Sequence, residues 1–230
     1  MTEQSASYGP GERPFEFDIR HPFRSIDLNK FAFLDIAERV FVTLMFAYFA
    51  NNMLVAFAQT FNLVAIFSIT AEMLCIILII IRMPSKQITG KMSDWIIAFA
   101  GASAPLLAMP ADVPSLAPQQ LCIALILFGM FTQICAKVIL WKSFGIVAAN
   151  RGIKIEGPYR VVRHPMYLGY VITHVGIFLT FPTVYNALIY ASALVVQIVR
   201  LLREEQVLLR DPAYQAYAGK VRYRLLPGVF

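Results

Sequence analysis

The sequence predicts an all-α integral membrane protein, a polytopic bundle of about six transmembrane helices that ends in a helical hairpin. Of its 230 residues, 58% are hydrophobic and only 15% are charged, which is too apolar for an ordinary soluble domain. Long apolar segments recur along the chain, and Lys and Arg cluster in alternate connections between them. These two observations favour several membrane crossings over a buried soluble core.

The first 34 residues predict a polar N-terminal arm with prolines and mixed charges. Its phenylalanines suit contact with the membrane interface, although a flexible tail explains them equally well. The start of the chain lacks a basic region, an apolar core and a cleavage site, so we expect no secretory signal peptide. The three cysteines, Cys75, Cys122 and Cys135, all lie in apolar segments. We interpret them as buried small residues rather than disulfide partners or metal ligands.

Six apolar segments follow the arm, and a bilayer core requires about 20 apolar helical residues. The second and fourth meet this length, whereas the third and fifth are short. The segments are approximately 40–58, 63–83, 95–109, 121–141, 168–181 and 184–202. We divide the chain into the arm (1–34), a four-helix scaffold (35–141) and a C-terminal region (142–230). Pro182 ends the fifth helix, so the last two form a tight hairpin.

The basic residues predict the topology. The connections near 59–62, 108–120 and 182–186 contain no Lys or Arg, whereas the arm, the other two connections and the tail are basic. With six spans, every basic segment falls on the same side. The positive-inside rule then places both termini in the cytoplasm.

Glu72 and His174 are ionisable residues well inside predicted spans. Glu72 lies near the centre of the second span, and His174 lies in the fifth. A charged group at mid-bilayer is costly and usually faces protein or water. Glu72 is therefore a candidate for substrate contact or for pairing with His174. A structural hydrogen bond between helices, with Glu72 protonated, explains it at least as well.

The stretch GPYRVVRHPMYLG, residues 157–169, packs polar groups between two apolar segments. Pro165 suits the first turn of the fifth helix, which puts His164 at a helix N-terminus, where backbone N–H groups favour an anion. Arg163 adds a planar fork suited to carboxylate or phosphate. The stretch predicts an anion site at the membrane surface. Arginines that contact lipid phosphates are the simpler alternative.

A second polar cluster, Arg203-Glu204-Glu205, follows the sixth apolar segment. The hairpin brings the end of the sixth helix beside the start of the fifth. We therefore expect the acidic pair near Arg163 and His164. An arginine fork facing carboxylates suits a zwitterion that carries hydroxyls.

These residues resemble the isoprenylcysteine carboxyl methyltransferase-like integral membrane methyltransferases, a group that also resembles the phospholipid methyltransferases. The matching pieces are GPYRVVRHPMYLG, the Glu204-Glu205 pair and the tail YQAYAGKVRYRLLPGVF, within 142–230. The GxG of phospholipid methyltransferases is missing, because Gly129 is followed by Met130 and Phe131. This departure counts against the phospholipid alternative.

The resemblance implies S-adenosylmethionine as the cofactor, held in a cytoplasmic pocket of the C-terminal region, and no metal. It implies that the cofactor-binding residues are Tyr159, Arg163, His164, Tyr167, Gly169 and Glu204. The candidate catalytic residues are Arg203, Glu205 and Arg224, and the candidate substrate-binding residues are Glu72, His174 and Arg222. A carboxylate acceptor needs only a cation to hold it, whereas an amine or thiol needs a base such as His164 or Glu205.

We therefore expect a membrane methyltransferase that acts on a lipid-like or small hydrophobic acceptor. The carboxylate of a prenylcysteine-like group is most in keeping with the family. The acceptor would reach the site laterally from the bilayer, and no nucleic-acid partner is expected. An NADPH-dependent sterol reductase is a rival, although Met166 stands where those enzymes tend to have Asn. A transporter or a structural membrane protein is the non-enzymatic alternative.

Overall fold

The structure is a computed structural model that describes residues 25–60, 63–83, 87–88, 92–147 and 149–230. Most of the described residues lie in helices, as the sequence predicts. The helices are α1 (Ser25–Thr60), α2 (Leu63–Ile81), α3 (Met92–Ser103), α4 (Gln119–Leu140), α5 (Pro165–Thr180), α6 (Val184–Leu208) and α7 (Pro212–Lys220). Helix α1 begins within the predicted arm, and residues 1–24 of that arm lie outside the described residues.

The chain divides into two compact units, residues 1–40 and residues 41–230. The described part of the first unit is the beginning of α1. The second unit contains α2–α7 and every side chain discussed below.

Two of the described helices are long and apolar enough to cross a bilayer, within Gln119–Ser143 and Val184–Leu208. Shorter apolar helices cover Ile66–Ile81, Met92–Leu107 and Pro165–Thr180. The segment Met92–Leu107 is an α-helix to Ser103 that continues as a 3₁₀ turn over Ala104–Leu107, with Pro105 in that turn. Helical backbone satisfies its own hydrogen bonds, which is what a bilayer core requires. An integral membrane helical bundle fits these helices, and the count of six spans stays a prediction.

Among the described elements, α4 and α5 form the most extensive helix pair. Small residues allow this close approach. A Cβ added to Gly169 of α5 would lie 2.7 Å from the backbone N of Gln133 in α4. A Cβ added to Gly176 would lie 2.9 Å from the backbone N of Ile126. The backbones of α4 and α5 therefore touch where these glycines lie, as in other helix pairs that use small residues in membranes.

The α5–α6 hairpin turns at residues 181–183, as Pro182 predicts. Thr183 caps α6 by accepting a hydrogen bond from the backbone N of Asn186. The buried amide of Asn186 also joins the turn to the connection between α3 and α4, because its Nδ2 donates to the Met109 carbonyl over 2.9 Å. Beyond the turn, α6 packs mainly against α3, whereas α5 packs mainly against α4. The two arms of the hairpin therefore diverge.

Strand β2 (Ala149–Asn150), in the connection between α4 and α5, pairs antiparallel with strand β1 (Gln87–Ile88), in the connection between α2 and α3. Asn150 also ties the connection to the start of α7, because its Nδ2 donates to Oδ2 of Asp211 over 2.8 Å. Asp211 in turn caps α7 by accepting from the Ala213 N–H. Helix α7 contributes Tyr214 and Tyr217 to a small buried cluster. These contacts bring α7 and the 141–164 connection to the site described next.

Candidate functional site

Glu205, near the end of α6, is the centre of a buried cluster of charged side chains. Its Oε1 lies 3.0 Å from Nη1 of Arg163 and 3.3 Å from Nε2 of His164. Its Oε2 accepts a hydrogen bond from Nε of Arg224, and the Tyr214 hydroxyl donates to Oε1 over 3.3 Å. Because two guanidinium groups adjoin this carboxylate, it is held in its ionised form. Glu205 thus joins α6 to the start of α5 and to the tail.

Glu204 points in another direction, because successive helical residues are rotated by about 100°. The Tyr167 hydroxyl donates to Oε2 of Glu204 over 2.8 Å. The acidic pair therefore lies beside the polar stretch, as the hairpin predicts. One carboxylate joins the ion cluster, and the other borders a cavity.

The start of α5 is fixed by its backbone as well. Pro165 occupies the first turn, and His164 is the N-cap residue without a side-chain cap hydrogen bond. The N–H groups of Arg163 and His164 donate to the carbonyls of Tyr223 and Arg224, both over 2.9 Å. The tail is thus paired with the polar stretch like a short strand. Two N–H groups of this predicted anion site are already used by the tail.

A cavity of about 60 Å³ lies between the polar stretch, the segment 143–154, the end of α6 and α7. We call it the outer cavity. Its polar and aromatic lining residues are Ser143, Arg151, Lys154, Tyr159, Arg163, His164, Tyr167, Glu204, Tyr214 and Tyr217. The structure therefore brings together five of the six residues that the resemblance implied for the cofactor.

Three tyrosines of the outer cavity, Tyr159, Tyr214 and Tyr217, remain neutral and can donate hydrogen bonds through their hydroxyls. Burial raises the pKa of Tyr217 to about 12. Burial, reinforced by the nearby Glu204 carboxylate, also raises the pKa of Tyr159 well above its usual value. The pKa of Tyr214 is raised by burial and by the Glu205 carboxylate. The Tyr217 hydroxyl donates to the Tyr159 carbonyl over 2.7 Å, which holds α7 against the polar stretch.

Gly169, Arg203 and Arg222, which the sequence analysis predicted for the site, do not line the outer cavity. Gly169 lies at the α4–α5 contact, where its missing Cβ makes room for Gln133. Arg203 is 38% exposed and lies 3.9 Å from Asp94 of α3. Arg222 is exposed and lines none of the described cavities. Arg224 reaches the site, but as a partner of Glu205.

Sequence reasoning missed the other five polar and aromatic lining residues of the outer cavity, Ser143, Arg151, Lys154, Tyr214 and Tyr217. Arg151 comes from the α4–α5 connection, where Gly145 leaves space for its guanidinium. Tyr214 and Tyr217 come from α7. Their three-residue spacing in the tail puts both side chains on one helix face, which was a readable pattern. The folded structure is needed to show that this face of α7 lines the outer cavity.

A second cavity, of about 170 Å³, lies deeper in the bundle. We call it the inner cavity. Its polar and aromatic lining residues include Glu72, Gln133, Lys137, Tyr170, His174, Tyr190, Gln197 and Arg200. Glu72 and His174, the substrate candidates from sequence, thus share this cavity. Lys137 is only 2% exposed, and its Nζ lies 3.3 Å from Oε1 of Gln133.

A contact between Tyr167 and Arg200 lies where the two cavities approach each other. Tyr167 lines the outer cavity, and Arg200 lines the inner one. The Arg200 guanidinium lies over the Tyr167 ring, 5.3 Å from its centroid, and its Nη2 donates to the Ile146 carbonyl over 2.8 Å. A planar cation on an aromatic face is a favourable contact. The contact forms a thin partition between a polar surface pocket and an interior one.

Within the described ranges, no group of three or more His, Cys, Asp or Glu side chains is arranged to hold a metal ion. Glu204, the carboxylate that lines the outer cavity, instead accepts a hydrogen bond from Tyr167, and the arginines Arg151 and Arg163 line the same cavity. Such a set of groups suits an organic molecule that carries charges and hydroxyls.

Comparison with known protein families gave a match over part of the chain. Residues 120–215 match the family model described as phospholipid methyltransferase. The match runs from the start of α4 into α7 and includes the polar stretch, although the GxG after Gly129 is missing. A search of curated proteins gave no match. The resemblance to the integral membrane methyltransferases is therefore confirmed over residues 120–215, which carry the phospholipid methyltransferase family pattern.

Proposed function

We propose that the protein is an S-adenosylmethionine-dependent integral membrane methyltransferase. It transfers a methyl group to a lipid-like or small hydrophobic acceptor. One observation carries this proposal: a polar surface cavity and an interior cavity approach each other at the Tyr167–Arg200 contact. A water-soluble cofactor and a membrane-soluble acceptor need such a pair of adjoining sites.

The residues of the outer cavity fit the chemistry of the cofactor. Glu204 offers a carboxylate to an ammonium group or to ribose hydroxyls, and Tyr167 orients it. Nε of Arg163 has no hydrogen-bond partner among the described residues, so this guanidinium keeps a donor for an anionic group. Tyr159 and Tyr167 supply aromatic walls for a cation or a base.

The outer cavity is smaller than usual ligand sites, which span about 300–1,000 Å³. Its volume of about 60 Å³ admits only a few water molecules. Binding therefore requires an outward displacement of a wall, and the 143–154 segment is the one without a long helix. The helical walls are held by the Glu205 cluster.

When bound, S-adenosylmethionine would supply an electrophilic methyl group on its sulfonium, with S-adenosylhomocysteine as the leaving group. The protein then has two tasks, alignment of the reactants and exclusion of water. Glu204 and Arg163 hold the polar ends of the cofactor. The Tyr167–Arg200 contact borders both sites and limits the access of water between them.

On the acceptor side, the inner cavity supplies cations. The ammonium of Lys137 and the guanidinium of Arg200 suit an acceptor carboxylate, which is ionised and needs no base. A prenylcysteine-like carboxylate is thus the acceptor that we propose. These two residues take the place of Arg203 and Arg222, which lie outside the cavities. The protein crosses the membrane several times, with both termini in the cytoplasm.

Binding of S-adenosylhomocysteine tests the proposal. The protein in lipid nanodiscs is titrated calorimetrically with this compound and, separately, with NADPH. We expect saturable binding of S-adenosylhomocysteine only. Glu204→Gln should weaken it about 10-fold, the effect of losing one charged hydrogen bond. The matched control is Glu156→Gln, an exposed carboxylate outside the outer cavity, which should bind normally. A folded wild type that binds NADPH instead would assign the protein to the reductases.

A further inference from the structure

A third cavity lies between the diverging arms of the hairpin. It is a cleft of about 240 Å³ between α5 and α6. Its lining residues are Val171, His174, Val175, Phe178, Ala187, Tyr190, Ala191 and Leu194. All but His174 and Tyr190 are hydrocarbon side chains. Val175 is 45% exposed and Leu194 is 39% exposed, so the cleft opens on the outer surface of the helix pair. In a bilayer, that surface faces lipid chains.

His174 and Tyr190 also line the inner cavity, on the other side of the same pair. Their rings are stacked, with centroids 5.1 Å apart and planes inclined by 28°. His174 comes from α5 and Tyr190 from α6. Two side chains, one from each helix, thus separate an apolar cleft from a polar chamber. Side-chain rotations of such a pair open a passage without moving the backbone.

The two sides of this ring pair differ sharply in chemistry. Beyond it, the inner cavity holds the Lys137 ammonium and the Glu72 carboxylate. Oε1 of Gln197 and Oε2 of Glu72 are buried without hydrogen-bond partners among the described residues. Buried polar atoms normally have partners, so these atoms indicate a polar guest. A molecule with a hydrocarbon chain and a polar end would match both sites, with its chain against the apolar cleft and its polar end against the polar groups of the inner cavity.

We propose that the α5–α6 cleft is the lateral portal of the protein. It seats the hydrocarbon chain of a single-chain amphiphile, and the His174–Tyr190 ring pair is the gate through which the polar end reaches the inner cavity. That this amphiphile is the methyl acceptor rests on the proposed function. The existence of a passage through the cleft does not depend on the proposed function.

A competing passage exists at the end of the bundle remote from the polar stretch. A cavity of about 370 Å³ shares Ser68, Glu72 and Tyr190 with the inner cavity. It is also lined by Met109 and Pro110 of the α3–α4 connection. A guest that used this passage would come from water rather than from the bilayer. The test must therefore separate the two routes.

Cys75 is a natural reporter, because it lines the inner cavity and is 2% exposed. Cys122, fully buried and outside the described cavities, is an internal reference in the same chain. The protein in nanodiscs is treated with N-pyrenylmaleimide, which partitions into the bilayer. A parallel sample receives a sulfonated methanethiosulfonate, which stays in water. Peptide mass spectrometry then follows the modification of each cysteine.

We expect the apolar reagent to modify Cys75 faster than Cys122 and faster than the sulfonated reagent does. Ala191→Trp, which fills the cleft, should slow this modification at least about 10-fold. Leu188→Trp is the matched control, because Leu188 is 66% exposed on the same helix and lies outside the cleft. It should leave the rate unchanged. Tyr190→Ala should accelerate the modification, and Tyr190→Phe should not.

Three results would overturn the portal. The first is modification of Cys75 by the sulfonated reagent as fast as by the apolar reagent. The second is an unchanged rate of modification in Ala191→Trp. The third is a Cys75 that stays unmodified in Tyr190→Ala. Thermal unfolding confirms that each variant is folded. Titration with S-adenosylhomocysteine in the same samples keeps the two proposals apart. If labelling of Cys75 depends on the cleft but S-adenosylhomocysteine does not bind, the portal proposal stands and the methyltransferase proposal is rejected.

Discussion

The Arg200 guanidinium lies over the Tyr167 ring at 5.3 Å and forms the partition between the outer and inner cavities. Tyr167 comes from the first turn of α5, and Arg200 comes from the last third of α6. The contact therefore joins the two arms of the hairpin at the level where the proposed reactants meet.

The first prediction concerns this partition. In Arg200→Lys, the planar face over Tyr167 is lost while the charge stays, and such a contact contributes about 2 kcal/mol when desolvated. We expect methyl transfer from labelled S-adenosylmethionine to a prenylcysteine acceptor to fall about 10-fold or more. Binding of S-adenosylhomocysteine should change little. Arg210→Lys, an exposed site, is the control. Equal losses of binding and of transfer would place Arg200 in the cofactor site instead.

The second prediction concerns the two adjacent glutamates. Glu205→Gln removes the charge that Arg163 and Arg224 share, and breaking a buried ion pair costs about 3–5 kcal/mol. Glu204→Gln still accepts the Tyr167 hydrogen bond, so it should cost less than about 1 kcal/mol. Thermal unfolding in detergent measures both. Similar unfolding midpoints for the two variants would contradict the central position of Glu205.

The third prediction concerns the α4–α5 contact. Gly169→Ala places a Cβ 2.7 Å from backbone atoms of α4, and neither backbone can yield easily. Such overpacking costs about 1–3 kcal/mol or more. Gly219→Ala in α7 is the matched control, because no atom lies within 4 Å of its added Cβ. It should be neutral or slightly stabilising. A stable Gly169→Ala protein that has lost only cofactor binding would restore the cofactor role implied by the resemblance.

The fourth prediction concerns alkaline pH. The pKa of Tyr217 rises from 10.0 to about 12 on folding, so the folded state favours its neutral form. This contribution to stability is complete below pH 10 and is lost as pH rises through 12. Ultraviolet difference spectra in detergent should show a late tyrosine ionisation coupled to unfolding. Tyr217→Phe should remove one group from that late phase and, through the lost bond to the Tyr159 carbonyl, cost about 1 kcal/mol. Tyrosines that all ionise before unfolding would contradict the buried cluster.

The sequence predicted the features that follow from local chemistry. Pro165 predicts the start of α5, Pro182 predicts the turn of the hairpin, and the turn brings Glu205 to Arg163. These conclusions depend on proline geometry and on connectivity, which a single sequence contains. Arg163 and His164 were identified for the same reason, whereas the resemblance implied Tyr159 and Tyr167.

The remaining features depend on which helix faces meet. Helices that are apolar on all sides carry no stripe that marks a partner, so the α4–α5 pairing could not be derived from periodicity. Gly169, which the resemblance implied for the cofactor site, lies at this pairing, against Gln133. Lys137 and Arg200 were overlooked for a related reason. Near the ends of spans they resembled ordinary interfacial cations, yet both are buried and line the inner cavity.

The divergence of α5 and α6 has a kinetic consequence. Helix α5 is fixed to α4 by backbone contacts, so α6 is the more movable wall of the cleft. The same rigid helix carries Ala191 at the cleft and Glu204 at the outer cavity. A tilt of α6 that admits a wider guest also displaces the carboxylate at its far end. The two reactants would then bind in a preferred order, and occupation of one site would change the affinity of the other by the same factor in both directions.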